Sequence, residues 1–178
     1  MAQLWGSLMS TKSELRIQAK EIRKKLDMKT ISHKLALKLK NTKEYKNAKN
    51  IMIFYPKNDE VDLIELLDDK SKNFFLPKIS GEELLCCPYK KNEELCESCF
   101  KTKEPLTESV DETIIDLVIA PALAVDKNNY RLGYGGGFYD RLFARIHCIK
   151  IVCIPKELVV NSVYPEKHDI IMTKIILS

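Results

Sequence analysis

The sequence predicts an α/β fold, a mainly parallel open sheet with helices on both faces, in a single domain spanning residues 11–178. Three observations carry this. Short, continuously apolar runs such as "IMIFYP", "DLVIAPALAV" and "IKIVCIP" read as strands buried on both faces. Helical segments separate them, which is the alternation of a parallel sheet with covering helices. The chain of 178 residues is 45% hydrophobic and 30% charged, enough for one sizeable core and short for two.

In chain order, "MAQLWGSLMS" (residues 1–10) is set apart as an extension with no assigned role. It has neither the basic leader nor the apolar block of a signal peptide. "TKSELRIQAKEIRKKL" opens with Thr11 and Glu14 in capping-box spacing. It then sets Leu15, Ala19, Ile22 and Leu26 on one face, with Lys12, Arg16, Lys20, Arg23 and Lys24 on or flanking the polar side. "TISHKLALKLK" predicts a second helix through Ile31, Leu35 and Leu39, "IMIFYP" a buried strand, "VDLIELLDDKSK" a helix and "FFLPKI" a strand. "ELLCCPY" is extended; Lys90 to Thr113 is polar, without clean periodicity, and reads as containing a loop. "DLVIAPALAV" is a strand leading into the glycine loop, "FYDRLFARI" a helix, "IKIVCIP" a strand, "KELVVN" a short helix, and "IIMTKIIL" a final or edge strand. No repeat or low-complexity tract interrupts the pattern.

Charge and cysteines narrow the function classes. Residues 1–50 hold 13 Lys and Arg against 4 Asp and Glu, and the rest of the chain holds 16 against 21. A basic start on a mildly acidic body fits an anionic small molecule or a solvated helix, and no nucleic-acid module accompanies it. No apolar run is long enough to span a bilayer, so no membrane partner and a cytoplasmic protein are expected, taken to be monomeric or weakly associating. Cys86 and Cys87, adjacent on a predicted strand, point to opposite faces. Together with Cys96 and Cys99 they make a poor zinc set, and free thiols are expected.

The chemistry concentrates in "RLGYGGGFYD". Four of the six glycines, Gly133, Gly135, Gly136 and Gly137, fall within five positions ahead of a predicted helix. Glycines allow positive φ and close approach, and successive amides at a helix N-terminus form an anion nest, so phosphate is the expected guest. A P-loop would end Gly-Lys-Ser/Thr, and a dinucleotide fingerprint would need glycine where Phe138 stands; both are excluded. Arg131 suits a phosphate, Tyr134 and Phe138 a planar ring, and Asp140 either a hydrated magnesium ion or the helix dipole.

The stretch "DLVIAPALAVDKNNYRLGYGGGFYDRL" resembles the signature of the 5-formyltetrahydrofolate cyclo-ligase family. "KSELR", "FYPKNDEVD", "FFLPKI", "KEPL" and "YPEKHDIIMTKII" are similar to further family segments in the family's order, covering residues 12–177. The resemblance implies an enzyme that converts 5-formyltetrahydrofolate and ATP to 5,10-methenyltetrahydrofolate, ADP and phosphate with Mg2+, by phosphorylation of the formyl oxygen. It implies ATP contacts at Lys12, Arg16 and Arg131, Leu132, Gly133, Tyr134, Gly135, Gly136, Gly137, Phe138 and Tyr139, with Lys12 and Arg131 catalytic. Folate contacts are implied at Lys57, Asp62, Tyr134, Gly135, Gly136, Gly137 and Phe138, and magnesium ligands at Asp140 and Asp169; Glu60, beside Lys57 and Asp62, joins the folate set because a pterin edge offers amino donors to a carboxylate. His168 reads as a packed, hydrogen-bonded residue. Asp140→Ala is expected to abolish metal-dependent turnover with the fold intact. The alternatives are a sugar-phosphate isomerase or acyl-transfer relative on a similar sheet, and a nucleic-acid-binding protein.

Overall fold

Successive residues of the central strands point alternately to two buried faces, and this alternation organises the molecule. The computed structural model describes residues 11–57 and 59–178; the extension over residues 1–10 lies outside the described residues. The chain begins with α1 (Lys12–Arg23), whose Thr11 and Glu14 form the expected capping box, then α2 (Met28–Lys40) and α3 (Lys43–Asn47). The strands follow as β1 (Asn50–Met52), β2 (Asn73–Ser80), β3 (Glu83–Pro88), β4 (Leu95–Glu97), β5 (Lys103–Pro105), β6 (Leu117–Ile119), β7 (Ala124–Asp126) and β8 (Arg131–Leu132). After α4 (Phe138–Arg145) come β9 (Ile149–Ile154), β10 (Val159–Val160) and β11 (Lys174–Leu177).

Six strands form the main sheet in the order β11-β9-β6-β1-β2-β3, parallel throughout except for the β2–β3 hairpin. Gly81, at φ +59, opens the two-residue hairpin link. On one face Met52, Phe75, Val118, Val152 and Ile154 pack with Leu15 and Ala19 of α1 and Leu142 and Phe143 of α4. On the other, Ile51, Ile53, Leu117, Ile119, Ile151 and Cys153 pack with Leu35, Ala36 and Leu39 of α2. Helices cover both faces, as the sequence predicts.

Four segments differ from their sequence reading. "DLVIAPALAV" is two strands, because Pro121 has no N–H to continue the ladder: β6 stays in the main sheet and β7 enters a second sheet, β10-β7-β8. The glycine loop therefore follows β8. "VDLIELLDDKSK" yields only a 3-10 turn at Ile64–Asp68. Asp62 Oδ1 takes the Ile64 amide and Asp69 Oδ1 takes the Ser71 amide, local bonds that compete with a helix. Lys90 to Thr113 contains the antiparallel β4–β5 hairpin, and "KELVVN" is a 3-10 turn running into β10.

Cys86 and Cys87 are buried in β3, and burial pushes the Cys86 thiol up to about 12. Cys96 and Cys99 are exposed on the β4–β5 hairpin. Among the described residues no helix is long and apolar enough to cross a membrane.

Candidate active site

A cleft of about 450 Å³ opens at the carboxyl ends of β1 and β6, lined by Phe54 and Tyr55 just beyond β1 and Pro121 just beyond β6. The crevice outside the strand ends is where open α/β sheets hold ligands.

One stripe of α1 dresses the glycine loop. Lys12, Arg16, Lys20 and Arg23, spaced by four, four and three, fall on one helical face. Lys12 Nζ lies 2.7 Å from Asp169 and 2.8 Å from Glu166. Burial opposes its charge, but hydrogen bonds to Asp169 and Glu166 outweigh this and raise the Lys12 pKa above its ordinary value. Arg16 Nε donates to Gly133 O at 2.9 Å, and the Lys20 ammonium stands 5.9 Å from the Tyr134 ring centre. Arg23, expected on the polar side, is only 2% exposed: Nη1 donates to Tyr134 Oη at 3.0 Å and Nη2 to Ala122 O. Its environment is the loop and not solvent.

Glycine is required at Gly135, with φ +106, and at Gly137, with φ +67. Gly137 is the N-cap of α4 and supplies no side-chain acceptor for the first-turn amides, the arrangement from which helix N-termini bind anions. Arg131, the first residue of β8, is buried. Its Nη2 pairs with Asp140 Oδ2 at 3.0 Å, while Asp140 Oδ1 accepts from the Ile170 amide at 3.2 Å. The Tyr139 hydroxyl is buried without a partner among the described residues, and burial raises its pKa despite the opposing Arg131 charge.

At the other end, buried Glu60 accepts from the Tyr134 hydroxyl at 2.5 Å and from the Lys57 amide at 2.8 Å. The Lys57 ammonium lies 5.2 Å from the Tyr134 ring centre. Phe100, at the tip of the β4–β5 hairpin, meets Phe138 edge to face at 5.5 Å.

Lys12, Arg16, Lys57, Glu60, Asp169 and the whole run Arg131–Asp140 line this one cleft. Asp62 does not: it caps the following 3-10 turn through Ile64 N and lines an adjoining hollow. His168 is not packed but largely exposed, with Nε2 3.8 Å from Asp169 Oδ1. Glu166, His168 and Asp169 each place a donor atom within 4.8 Å of the others, whereas Asp140 stands outside that group. Sequence reasoning missed Arg23, Phe100, Glu104 and Glu166 as cleft-associated residues. For Arg23 the continuing basic stripe was an available signal, and for Phe100 an isolated aromatic in a polar segment.

Fold and cleft together define an α/β protein whose glycine-rich loop, at a helix N-terminus, faces an aromatic, acid-tipped end of the same cleft. The model of the 5-formyltetrahydrofolate cyclo-ligase family matches residues 8–178, and the chain belongs to that family. An Aquifex aeolicus 5,10-methenyltetrahydrofolate synthetase superposes with a TM-score of 0.82 at 30% identity, covering 93% of this chain and 89% of that one. The Escherichia coli 5-formyltetrahydrofolate cyclo-ligase is 35% identical over 103 residues, which is 53% of this chain and 57% of the relative. The Mus musculus 5-formyltetrahydrofolate cyclo-ligase is 25% identical over 155 residues, covering 71% of each.

Proposed function

We propose that the protein cyclises 5-formyltetrahydrofolate to 5,10-methenyltetrahydrofolate, consuming ATP in the presence of Mg2+ and releasing ADP and phosphate. The observation that carries this is a single cleft joining an anion-binding loop, flanked by Lys12, Arg16 and Arg131, to a subsite of Tyr134, Phe138 and Glu60 suited to a flat heterocycle with N–H donors. Membership of the family adds the substrate class.

An N-formyl group is a poor electrophile, and ring closure must finally expel its oxygen. Transfer of the γ-phosphoryl group to the formyl oxygen converts that oxygen into a phosphate leaving group. The second folate nitrogen attacks the formyl carbon, the C–O bond breaks, and inorganic phosphate departs. The protein's part is alignment and charge stabilisation. Lys12, Arg16 and the loop amides hold the phosphates, Arg131 neutralises charge developing on the transferred group, and Glu60 with the aromatic walls orients the pterin.

The oxygen donors of Asp169 and Glu166, with Asp140 bonded to the amide of neighbouring Ile170, fit a hard divalent cation. Lys12 neutralises Asp169 and Glu166; were its ammonium drawn to phosphate oxygens, those two carboxylates would be free to hold Mg2+. Bound there, the ion would shield charge on the nucleotide's phosphates.

The test follows the methenyl product by its near-ultraviolet absorbance, with purified protein, 5-formyltetrahydrofolate and Mg-ATP. Product is expected only in the complete mixture. Folded protein that binds Mg-ATP yet forms no product would reject this substrate.

A further inference from the structure

Arg23 is a buried cation to which the reaction above gives no role. Its guanidinium donates to Ala122 O and to the Tyr134 hydroxyl, and its Nε has no partner among the described residues. The nearest carboxylate, Asp59, stands 3.8 Å away and is 40% exposed. A buried, incompletely paired arginine is costly to maintain, and packing at this position would be better served by an apolar side chain. What the arginine adds is directionality.

We propose that Arg23 is a positioning residue for the heterocycle end of the cleft, fixing the Tyr134 hydroxyl as a one-way donor to Glu60. Arginine has no acceptor, so the Arg23–Tyr134 bond must run from Nη1 to the phenol oxygen. The single phenol hydrogen is then left for Glu60 Oε1, where the 2.5 Å contact lies. Glu60 Oε2 is held in turn by the Lys57 amide. Both carboxylate oxygens are thereby gripped by protein donors, and their remaining lone pairs are left for paired N–H groups of a ligand in the cleft. Without Arg23 the hydroxyl is free to rotate and to compete for those N–H groups as an acceptor.

The same helix carries Arg16, which contacts the glycine loop, seven residues before Arg23. At 1.5 Å per residue their backbone anchors stand about 10 Å apart on one helix, and the two side chains grip neighbouring loop residues, Gly133 and Tyr134. One element thus holds both the loop and its tyrosine.

This inference rests on the reading of the Glu60 end as the folate subsite, so activity of the unaltered protein on 5-formyltetrahydrofolate is measured first. Absence of that activity overturns the functional reading and this inference with it. Given activity, Arg23→Met, Tyr134→Phe and the double variant are compared at saturating Mg-ATP with formylfolate varied. Arg23→Met is expected to raise KM for formylfolate about tenfold while kcat stays within about twofold. KM for ATP should not change. The double variant should be no worse than Tyr134→Phe alone, because Arg23 acts through that hydroxyl. Arg23→Lys, which keeps a cationic donor, should recover part of the loss. It also carries the same cycle if Arg23→Met does not fold. Additive losses in the double variant, an unchanged formylfolate KM in folded Arg23→Met, or a change confined to ATP would each overturn the proposal.

Discussion

Replacing Gly135 by alanine separates the loop's ligand role from its role as a turn. At φ +106 the backbone lies where a side chain is strained, at about 1–3 kcal/mol. The added Cβ would also stand 3.5 Å from the Arg16 guanidinium, an ordinary contact that adds no clash. The strain has two outlets. If the loop keeps its shape, the protein loses stability, at roughly 2–4 °C of thermal midpoint per kcal/mol. If the loop relaxes, its amides lose alignment with the phosphates. One misdirected charge-assisted hydrogen bond is worth about 1.5–3 kcal/mol, or roughly 10- to 100-fold in kcat/KM for ATP. Gly81→Ala is the control: its φ is +59, nothing lies within 4 Å of its added Cβ, and it does not line the cleft. Both variants should melt earlier, but only Gly135→Ala should impair use of ATP, measured in the methenyl assay with ATP varied. Equal ATP kinetics in the two variants would refute the assignment of the loop to phosphate.

Asp140→Ala should do more than remove a candidate metal ligand. It leaves buried Arg131 without its carboxylate, so about 3 kcal/mol of stability should vanish in urea titrations along with turnover, in a protein that still folds. Phe100→Ala, which removes the edge-to-face partner of Phe138, should raise KM for formylfolate roughly 3- to 10-fold with little change in melting, as steady-state kinetics and calorimetry would show. Remote from the cleft, Lys174 of β11 donates to Glu44 of α3 at 2.7 Å, and this bond holds the Glu44 carboxyl below its ordinary 4.5. A lowered carboxyl stabilises the fold above its ordinary pKa and ceases to do so as pH falls through the lowered value. Lys174→Met should therefore melt roughly 1–2 °C earlier near neutrality, the difference closing in acid.

Features that depend on near neighbours in the chain were legible in the sequence. The Thr11–Glu14 capping box, the α2 periodicity and the glycine loop are set within a few residues, and each stands where it was expected. Tertiary choices were not legible. An apolar run such as "DLVIAPALAV" does not state which sheet its second half joins. "VDLIELL" carries helical periodicity that two aspartate side chains undo locally. Arg23 sits on a helix whose pattern assigned it to solvent, and only Tyr134 and Ala122, 111 and 99 residues away, make its burial sensible. Asp169 and Asp62 entered through family resemblance and Glu60 as a carboxylate beside Asp62 suited to a pterin edge; Asp169 and Glu60 line the cleft, and Asp62 does not.

The bonds that close the cleft are also among the longest-range in the chain. Arg16 reaches across 117 residues to Gly133, and Lys12 across 157 to Asp169. Contacts of such separation carry the greatest loop-closure penalty and belong late in folding, after the locally paired strands. On the ribosome, the charged stripe of α1 waits through 117 residues for Gly133 and 157 for Asp169 before it finds these partners. A chain cut between α4 and Asp169 would keep most strands of the sheet and leave Lys12 without its carboxylates at the mouth of the cleft.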